Sequence, residues 1–292
     1  MKEFKNFDSG KISWFRCGGK ISVFCIVENI KELTQCLNTY KEYNNNLIVL
    51  GAGSNILIRD SGFKGLAIKL AGGFNKLELI DNDKIVAGSC VLSKTLANFA
   101  LKNNLIGGEF LDSIPGTIGG EIFMNAGCFG KEIKDIFVEC KCLIDGKIKM
   151  FNKKTLTFGY RHSSLPQNAI ILDAIFQFKK GGIQEIEMSK QTLQEFQQHR
   201  KTNQIIGATC GSTFANPINK DGEKISAWKL IEAVGLRGVE IDGAKFSEKH
   251  CNFLVNTGTA TATSIENLIN LAKTKIKEKF DIDMTTEIRI IG

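Results

Sequence analysis

Proline and histidine are scarce in this chain, three of each in 292 residues, and long apolar runs are missing. So few histidines do not complete a spaced zinc set with the nine cysteines, at positions 17, 25, 36, 90, 128, 140, 142, 210 and 251, which form no C-x-x-C pair. Free thiols and no metal are the expectation. No stretch approaches the roughly 18 uninterrupted apolar residues of a membrane span, and Met1-Lys2-Glu3-Phe4-Lys5-Asn6 lacks an apolar signal core. A cytoplasmic protein without a membrane partner is expected. There is no internal repeat and no low-complexity linker. The formal charge of +7 is scattered: its densest group, Lys273, Lys275, Lys277 and Lys279, is interleaved with Thr274, Ile276, Glu278 and Phe280. That pattern reads as a partly solvated helix, not a nucleic-acid-binding module, and leaves room for a patch attracting an anionic nucleotide substrate. The low proline count, beside abundant lysine and asparagine, reads as coding bias.

With 43% hydrophobic residues the chain can bury a large core, and its length suggests two or three domains. Strands and helices alternate at first. Asn29 to Glu32 has capping-box spacing, followed by Ile30, Leu33, Leu37 and Tyr40 on one helical face. A strand over 47–50, a second over 55–59 and a third over 66–70, after Gly62 and Gly65, come next. From about residue 74 the pattern changes to a strand over 84–87, a helix carrying Leu92, Leu96, Phe99 and Ala100, and strands around 136–144, 147–151 and 170–178 dense enough for burial. Gly181-Gly182 precedes a polar helix over 185–201. Ala227, Leu230, Ile231 and Val234 sit at helical spacing ahead of the stop residue Gly235. Thr263-Ser264-Ile265-Glu266 reads as a capping box for a last helix through Ile276 and Phe280, and a strand over 287–291 closes the chain.

Two glycine clusters carry the functional signal. The strand over 47–50 empties into Gly51-Ala52-Gly53-Ser54-Asn55, where glycine permits positive φ and close approach, and Ser54 and Asn55 add side-chain hydrogen bonds. Alone, this is an ordinary tight turn. The second cluster is Ile114-Pro115-Gly116-Thr117-Ile118-Gly119-Gly120, followed by Met124-Asn125-Ala126-Gly127. A backbone so stripped of side chains suits a pyrophosphate or a flat ring, and two such turns suggest one dinucleotide. Ile56 stands three residues after Gly53, so the G-x-G-x-x-G of the nicotinamide-binding strand-turn-helix is absent.

These clusters, with Trp14-Phe15-Arg16-Cys17-Gly18-Gly19, Tyr160-Arg161-His162-Ser163, Gly211-Ser212-Thr213-Phe214-Ala215-Asn216-Pro217 and Glu287 to Gly292, resemble the UDP-N-acetylenolpyruvoylglucosamine reductase family. Six ordered blocks span nearly the whole chain. The resemblance implies a flavoenzyme of peptidoglycan precursor synthesis that binds FAD, takes NADPH as reductant and reduces a UDP-sugar enolpyruvyl ether. FAD would lie against Gly51, Ala52, Gly53, Ser54, Asn55, Ile114, Pro115, Gly116, Thr117, Gly119 and Gly120.

Reducing an enolpyruvyl ether needs a hydride on one carbon of a polarised double bond and a proton on its neighbour. The resemblance assigns Arg161 to the active site, where a permanently charged guanidinium suits a carboxylate, with Tyr160 close to substrate. Ser212 is the candidate proton donor; a serine is a poor acid and needs a stabilising environment or a relay. The resemblance makes Glu287 a catalytic residue polarising the substrate carboxylate, which asks for a protonated carboxyl group. The strand period sets Arg289 on the same face. Asn216 resembles a substrate-contacting asparagine, although Asn-Pro is also a turn former. His250 reads as structural, while Cys128 and Cys210 lie beside site segments without a chemical role. Thr202-Asn203-Gln204-Ile205 departs from the family's Thr-Gln-Pro run, and the chain is compact, like the shorter class of these reductases.

The expected fold is α+β with three lobes. Residues 1–73 and 74–184 form an FAD-binding module of the vanillyl-alcohol-oxidase type, and 185–292 form a C-terminal substrate domain whose last strand returns to the active site. A monomer is expected. The rivals are an FAD-dependent oxidase of the same architecture and a nucleotide-sugar or nucleic-acid binding protein that has lost catalysis.

Overall fold

A computed structural model describes residues 1–203, 205, 207–218 and 222–292. The chain divides into two units: residues 1–4, 24–52 and 65–200 make the first, residues 5–23, 53–64 and 201–292 the second.

Two sheets organise the first unit. Leu47–Leu50 pairs in parallel with Phe63–Leu70, Leu47 opposite Leu66 and Leu50 opposite Lys69, within a four-stranded sheet. Helix Ile30–Thr39 starts where expected, with Asn29 Oδ1 accepting from the Glu32 N–H at 2.9 Å. Glu32 instead reaches back to the Glu28 N–H, at 2.9 Å. The buried stripe is Leu33, Cys36 and Tyr40, with Ile30 exposed, and Gly65 lies inside its strand instead of before it.

The second sheet has five antiparallel strands in the order Lys147–Asn152, Phe137–Ile144, Ile170–Gln177, Lys84–Gly88, Leu77–Asp81. Period-two alternation, with a register shift between Ile171 and Asp173, sends Cys140, Cys142, Ile171, Ala174, Phe176, Ile85 and Ala87 into one core. Leu96, Ala97 and Ala100 of helix Ser93–Lys102 and Ile118 and Ile122 of the short helix Ile118–Met124 fill it. Leu92, assigned to the helix face by spacing, is its exposed N-cap.

In the second unit, helices Ala227–Ala233 and Ala262–Phe280 pack with the three-stranded sheet Glu240–Ile241, Ala244–Phe246, Leu254–Asn256. Gly235, at φ 73°, ends the shorter helix as its sequence predicts. The longer helix begins two residues earlier than the Thr263 to Glu266 pattern implies. Thr261 is its N-cap, exchanging bonds with Ser264 at 3.0 Å, and the Asp60 carboxylate takes the Ala262 and Thr263 N–H groups at 3.0 and 2.8 Å. Glu266 pairs with Arg59 instead, at 2.8 Å. The last strand, Arg289–Ile291, runs parallel to Ile56–Ile58.

Helices and antiparallel and parallel strands thus combine as an α+β chain, and among the described residues no helix is long and apolar enough to cross a membrane.

Candidate active site

The first unit brings its two glycine clusters together. A Cβ on Gly51 would collide with the Thr117 hydroxyl, so the turn after Leu47–Leu50 abuts the second cluster only because residue 51 has no side chain. The second cluster is pinned from inside: Gly116 N–H donates to Ile114, Ile118 N–H to Val91 and Gly119 N–H to Ser89, at 2.9–3.0 Å. Those three N–H groups are committed to the fold. A Cβ on Gly119 would stand 3.1 Å from Ser89, so the backbone packs closely there.

Beneath the cluster lies Glu121, 2% exposed. Ser93 donates its hydroxyl to Glu121 Oε1, and a Cβ on Gly116 would sit 2.8 Å from the same oxygen. Burial pushes the Glu121 carboxyl up to about 8, against the opposing pull of the Ser93 hydrogen bond.

Asn125, fully buried in a left-handed conformation at φ 43°, ties this region to a hairpin. Its amide donates to the Gly159 carbonyl at 2.9 Å and to Glu132 at 3.1 Å, and its oxygen accepts from the Lys134 N–H at 3.1 Å. The hairpin pairs Phe158 with Ser163 and Gly159 with His162, leaving Tyr160 and Arg161 at its tip. Arg161, at φ 53°, donates to the Gly127 carbonyl at 2.9 Å, and its guanidinium carbon lies 4.9 Å from the Tyr160 ring centre. Both residues that the sequence singles out here therefore share one hairpin turn. Beside it, burial holds the Cys128 thiol up at about 12, and the thiol donates to the Phe110 carbonyl at 3.3 Å. A neutral thiol is a poor nucleophile.

The second unit holds the rest of the first turn and the remaining candidates. Gly53, at φ 72°, accepts from the Trp14 N–H at 3.0 Å, and any Cβ would strike the Ile12 carbonyl. Asn55 donates its amide to the Glu287 carbonyl at 3.0 Å and accepts from the Arg289 N–H at 3.1 Å. Ser212 lies half-buried in an isolated antiparallel bridge with Phe253, just after Gly211 at φ 75°. Asn252 clamps that segment: its backbone carbonyl accepts from Thr213, its side-chain oxygen accepts from the Phe214 N–H, and its amide donates to the Phe214 carbonyl, at 2.7–3.0 Å. Glu287 N–H donates to the Thr213 carbonyl at 2.9 Å, so Ser212 and Glu287 stand on adjoining segments.

The strand begins only at Arg289, with Glu287 in a bend, so the expectation that strand period alone puts the two on one face does not hold. The bend arises where residues 285–287 pair with the 213–215 segment while 289–291 pair with 56–58. Asn216 spends its side-chain oxygen on the Ala227 N–H, at 2.8 Å, capping a helix. His250 packs its ring 4.6 Å from Phe253, and burial pushes the Cys210 thiol, near the Gly53 and Ile56 carbonyls, up to about 12. Of the departure at 202–205, Gln204 lies outside the described residues.

Sequence reasoning missed Glu121, Ser93 and Asn252. Asn252 stands in a quoted block, but nothing in the order of residues marks Ser93 or the acid after Gly120 as buried partners. Among the described residues no cluster of His, Cys, Asp and Glu could hold a metal ion.

Residues 200–291 match the family model for the UDP-N-acetylenolpyruvoylglucosamine reductase C-terminal domain, and residues 21–149 match that of an FAD-binding domain. The chain is 39% identical over 289 residues to the UDP-N-acetylenolpyruvoylglucosamine reductase of Rickettsia prowazekii (strain Madrid E), covering 99% of this chain and 95% of that protein. It is 40% identical over 290 residues to the reductase of Rickettsia massiliae (strain Mtu5), with the same coverage. The crystal structure of UDP-N-acetylenolpyruvylglucosamine reductase from Thermus caldophilus superposes with a TM-score of 0.84 at 28% identity, covering 100% of this chain and 98% of that one.

Proposed function

The chain belongs to the UDP-N-acetylenolpyruvoylglucosamine reductase family of FAD-binding oxidoreductases, and from that premise we propose that it reduces UDP-N-acetylglucosamine enolpyruvate to UDP-N-acetylmuramate with NADPH as reductant. The observation that carries the cofactor assignment is the meeting of Gly51 with Thr117. Two backbone turns stripped of side chains leave a cradle that a Cβ would fill, which suits a dinucleotide diphosphate. Gly51, Ala52, Gly53, Ser54, Asn55, Ile114, Pro115, Gly116, Thr117, Gly119 and Gly120 would hold FAD. When bound, FAD would supply the redox chemistry of hydride transfer between NADPH and the alkene.

The protein's own side chains do the rest. Arg161, held by the Gly127 carbonyl and the Tyr160 ring, pairs with the substrate carboxylate and stabilises charge developing toward it. Ser212 delivers the proton to the neighbouring carbon, its position set by the Asn252 clamp on residues 213 and 214. Glu287 polarises the substrate carboxylate, and Tyr160, Asn216 and Arg289 contact the nucleotide sugar. In our reading residues 1–73 and 74–184 serve the cofactor and 185–292 the substrate, in a cytoplasmic monomer.

Anaerobic absorbance tests the whole reading. Protein reconstituted with FAD should bleach on adding NADPH and recover the oxidised flavin band on adding the enolpyruvyl nucleotide sugar. Bleaching without recovery would mean a different acceptor, and absence of flavin binding would sink the assignment.

A further inference from the structure

The buried acid under the second glycine cluster has no part in the reaction above. Glu121 carries one oxygen engaged by Ser93 and a second, Oε2, that is buried without a hydrogen-bond partner among the described residues. An ionised carboxylate there would leave that oxygen uncompensated, whereas a carboxylic acid places its proton on it. The groups facing it are few. Ser93 comes from the first turn of helix Ser93–Lys102, the Gly116 backbone from the glycine cluster, and the Cys128 thiol, which feels its charge, from the hairpin after its own helix. Arg161 and Arg200 act on Cys128, whereas among the described residues burial and the Ser93 hydroxyl are what act on Glu121.

Two of these groups, Ser93 and Gly116, also fix the glycine turn together with Glu121. Ser93 N–H donates to the Gly116 carbonyl at 3.2 Å while its hydroxyl serves Glu121, and Gly116 has no side chain because Glu121 fills the space a Cβ would need. The carboxyl group is thus packed against the inner face of the backbone that, on the reading above, meets the FAD diphosphate on its outer face. We propose that Glu121 is a positioning residue for FAD, seating the Gly116–Gly120 turn only in its neutral form, so that ionisation of this one carboxyl group loosens the cofactor. Ionisation does so twice over: it sets a negative charge behind a turn that receives an anionic diphosphate, and it demands solvation at a buried site. FAD and the Glu121 proton are therefore linked ligands, each tightening the other.

The proposal rests on the assignment of the glycine turns to FAD, and the experiment separates the two. FAD dissociation constants are measured by fluorescence titration from pH 6 to pH 9.5 on wild type, Glu121→Gln, Ser93→Ala and Gly51→Val. Wild type should weaken by at least about tenfold between pH 7 and pH 9.5, the linkage of one proton. Glu121→Gln, which is the neutral acid's isostere, should hold FAD with an affinity that stays flat over the same range. Ser93→Ala removes the hydroxyl that favours the ionised form, so its weakening should begin at higher pH than in wild type. Parallel profiles for wild type and Glu121→Gln, with Gly51→Val defective, overturn the inference alone. Undiminished FAD binding by Gly51→Val overturns the site assignment and the inference with it. Should Glu121→Gln fail to fold, the direction of the Ser93→Ala shift decides: a shift to lower pH, or none, overturns the proposal.

Discussion

Ser212 illustrates how little a side chain does unaided. Its hydroxyl is a weak acid, and what distinguishes it is a backbone held by Asn252 on one side and joined through Thr213 to Glu287 on the other. Replacing it with alanine leaves those backbone bonds intact. Ser212→Ala should therefore bleach with NADPH at the wild-type rate but recover on adding substrate roughly 10²–10⁴ times more slowly, the usual worth of a general acid. Equal loss in both half-reactions would count against the proton-donor role. Glu121 makes a different prediction, about stability without cofactor. In the unfolded chain it titrates near its ordinary 4.5, whereas burial raises the folded value to about 8. Between those values the unfolded state has lost the proton that the folded state keeps, so stability falls as pH rises from about 4.5 to about 8 and levels off above. Glu121→Gln should melt above wild type at pH 8, by at most about 5 kcal/mol at 1.36 kcal/mol per unit. The gap should close by pH 4.5, and thermal denaturation at the two pH values checks it.

At the scale of the element, the start of helix Ala262–Phe280 shows why helix ends are hard to read. The pattern Thr263 to Glu266 fits a capping box, yet the first turn takes its acceptors from Thr261 and, across a large sequence separation, from Asp60. Burial works against the Asp60 charge, but the Thr263 hydroxyl and the N–H groups of Thr263 and Ala262 outweigh it and hold the carboxyl below its usual range. A depressed carboxylate contributes its full stability above the unfolded value and loses it as pH falls through the folded one. Asp60→Ala should cost about 1 kcal/mol at neutral pH, typical of a lost cap, with the difference vanishing in acid. Denaturant titrations at pH 7 and pH 2.5 check that. The glycine turns were legible because glycine is required by collision. The helix Ala227–Ala233 was legible because its apolar spacing and Gly235 agree. The sheet Glu240–Ile241, Ala244–Phe246, Leu254–Asn256 was not, since strands of two or three residues carry too few alternations to register a period.

At the scale of the whole molecule, the formal charge of +7 meets a substrate carrying a diphosphate and a carboxylate. Diffuse positive charge steers anions over distances that salt screens. The kcat/KM for the enolpyruvyl nucleotide sugar should fall as ionic strength rises from about 0.01 to 0.5 M, a range over which the screening length shrinks several-fold. A value unchanged across that range would count against steering.

The order of residues by itself determined the glycine turns and the alternation of buried strands, because glycine and period-two apolar spacing have few substitutes, and its resemblance to one family supplied that family and the candidate residues Arg161, Ser212 and Glu287. Only the tertiary structure decided that Gly51 meets Thr117, that Asn252 and Asn125 lock the Ser212 and Arg161 segments, that Glu287 lies in a bend before its strand, and that an acid is buried under the glycine turn. These depend on which distant groups desolvate one another, and desolvation belongs to the packed chain, not to any stretch of it.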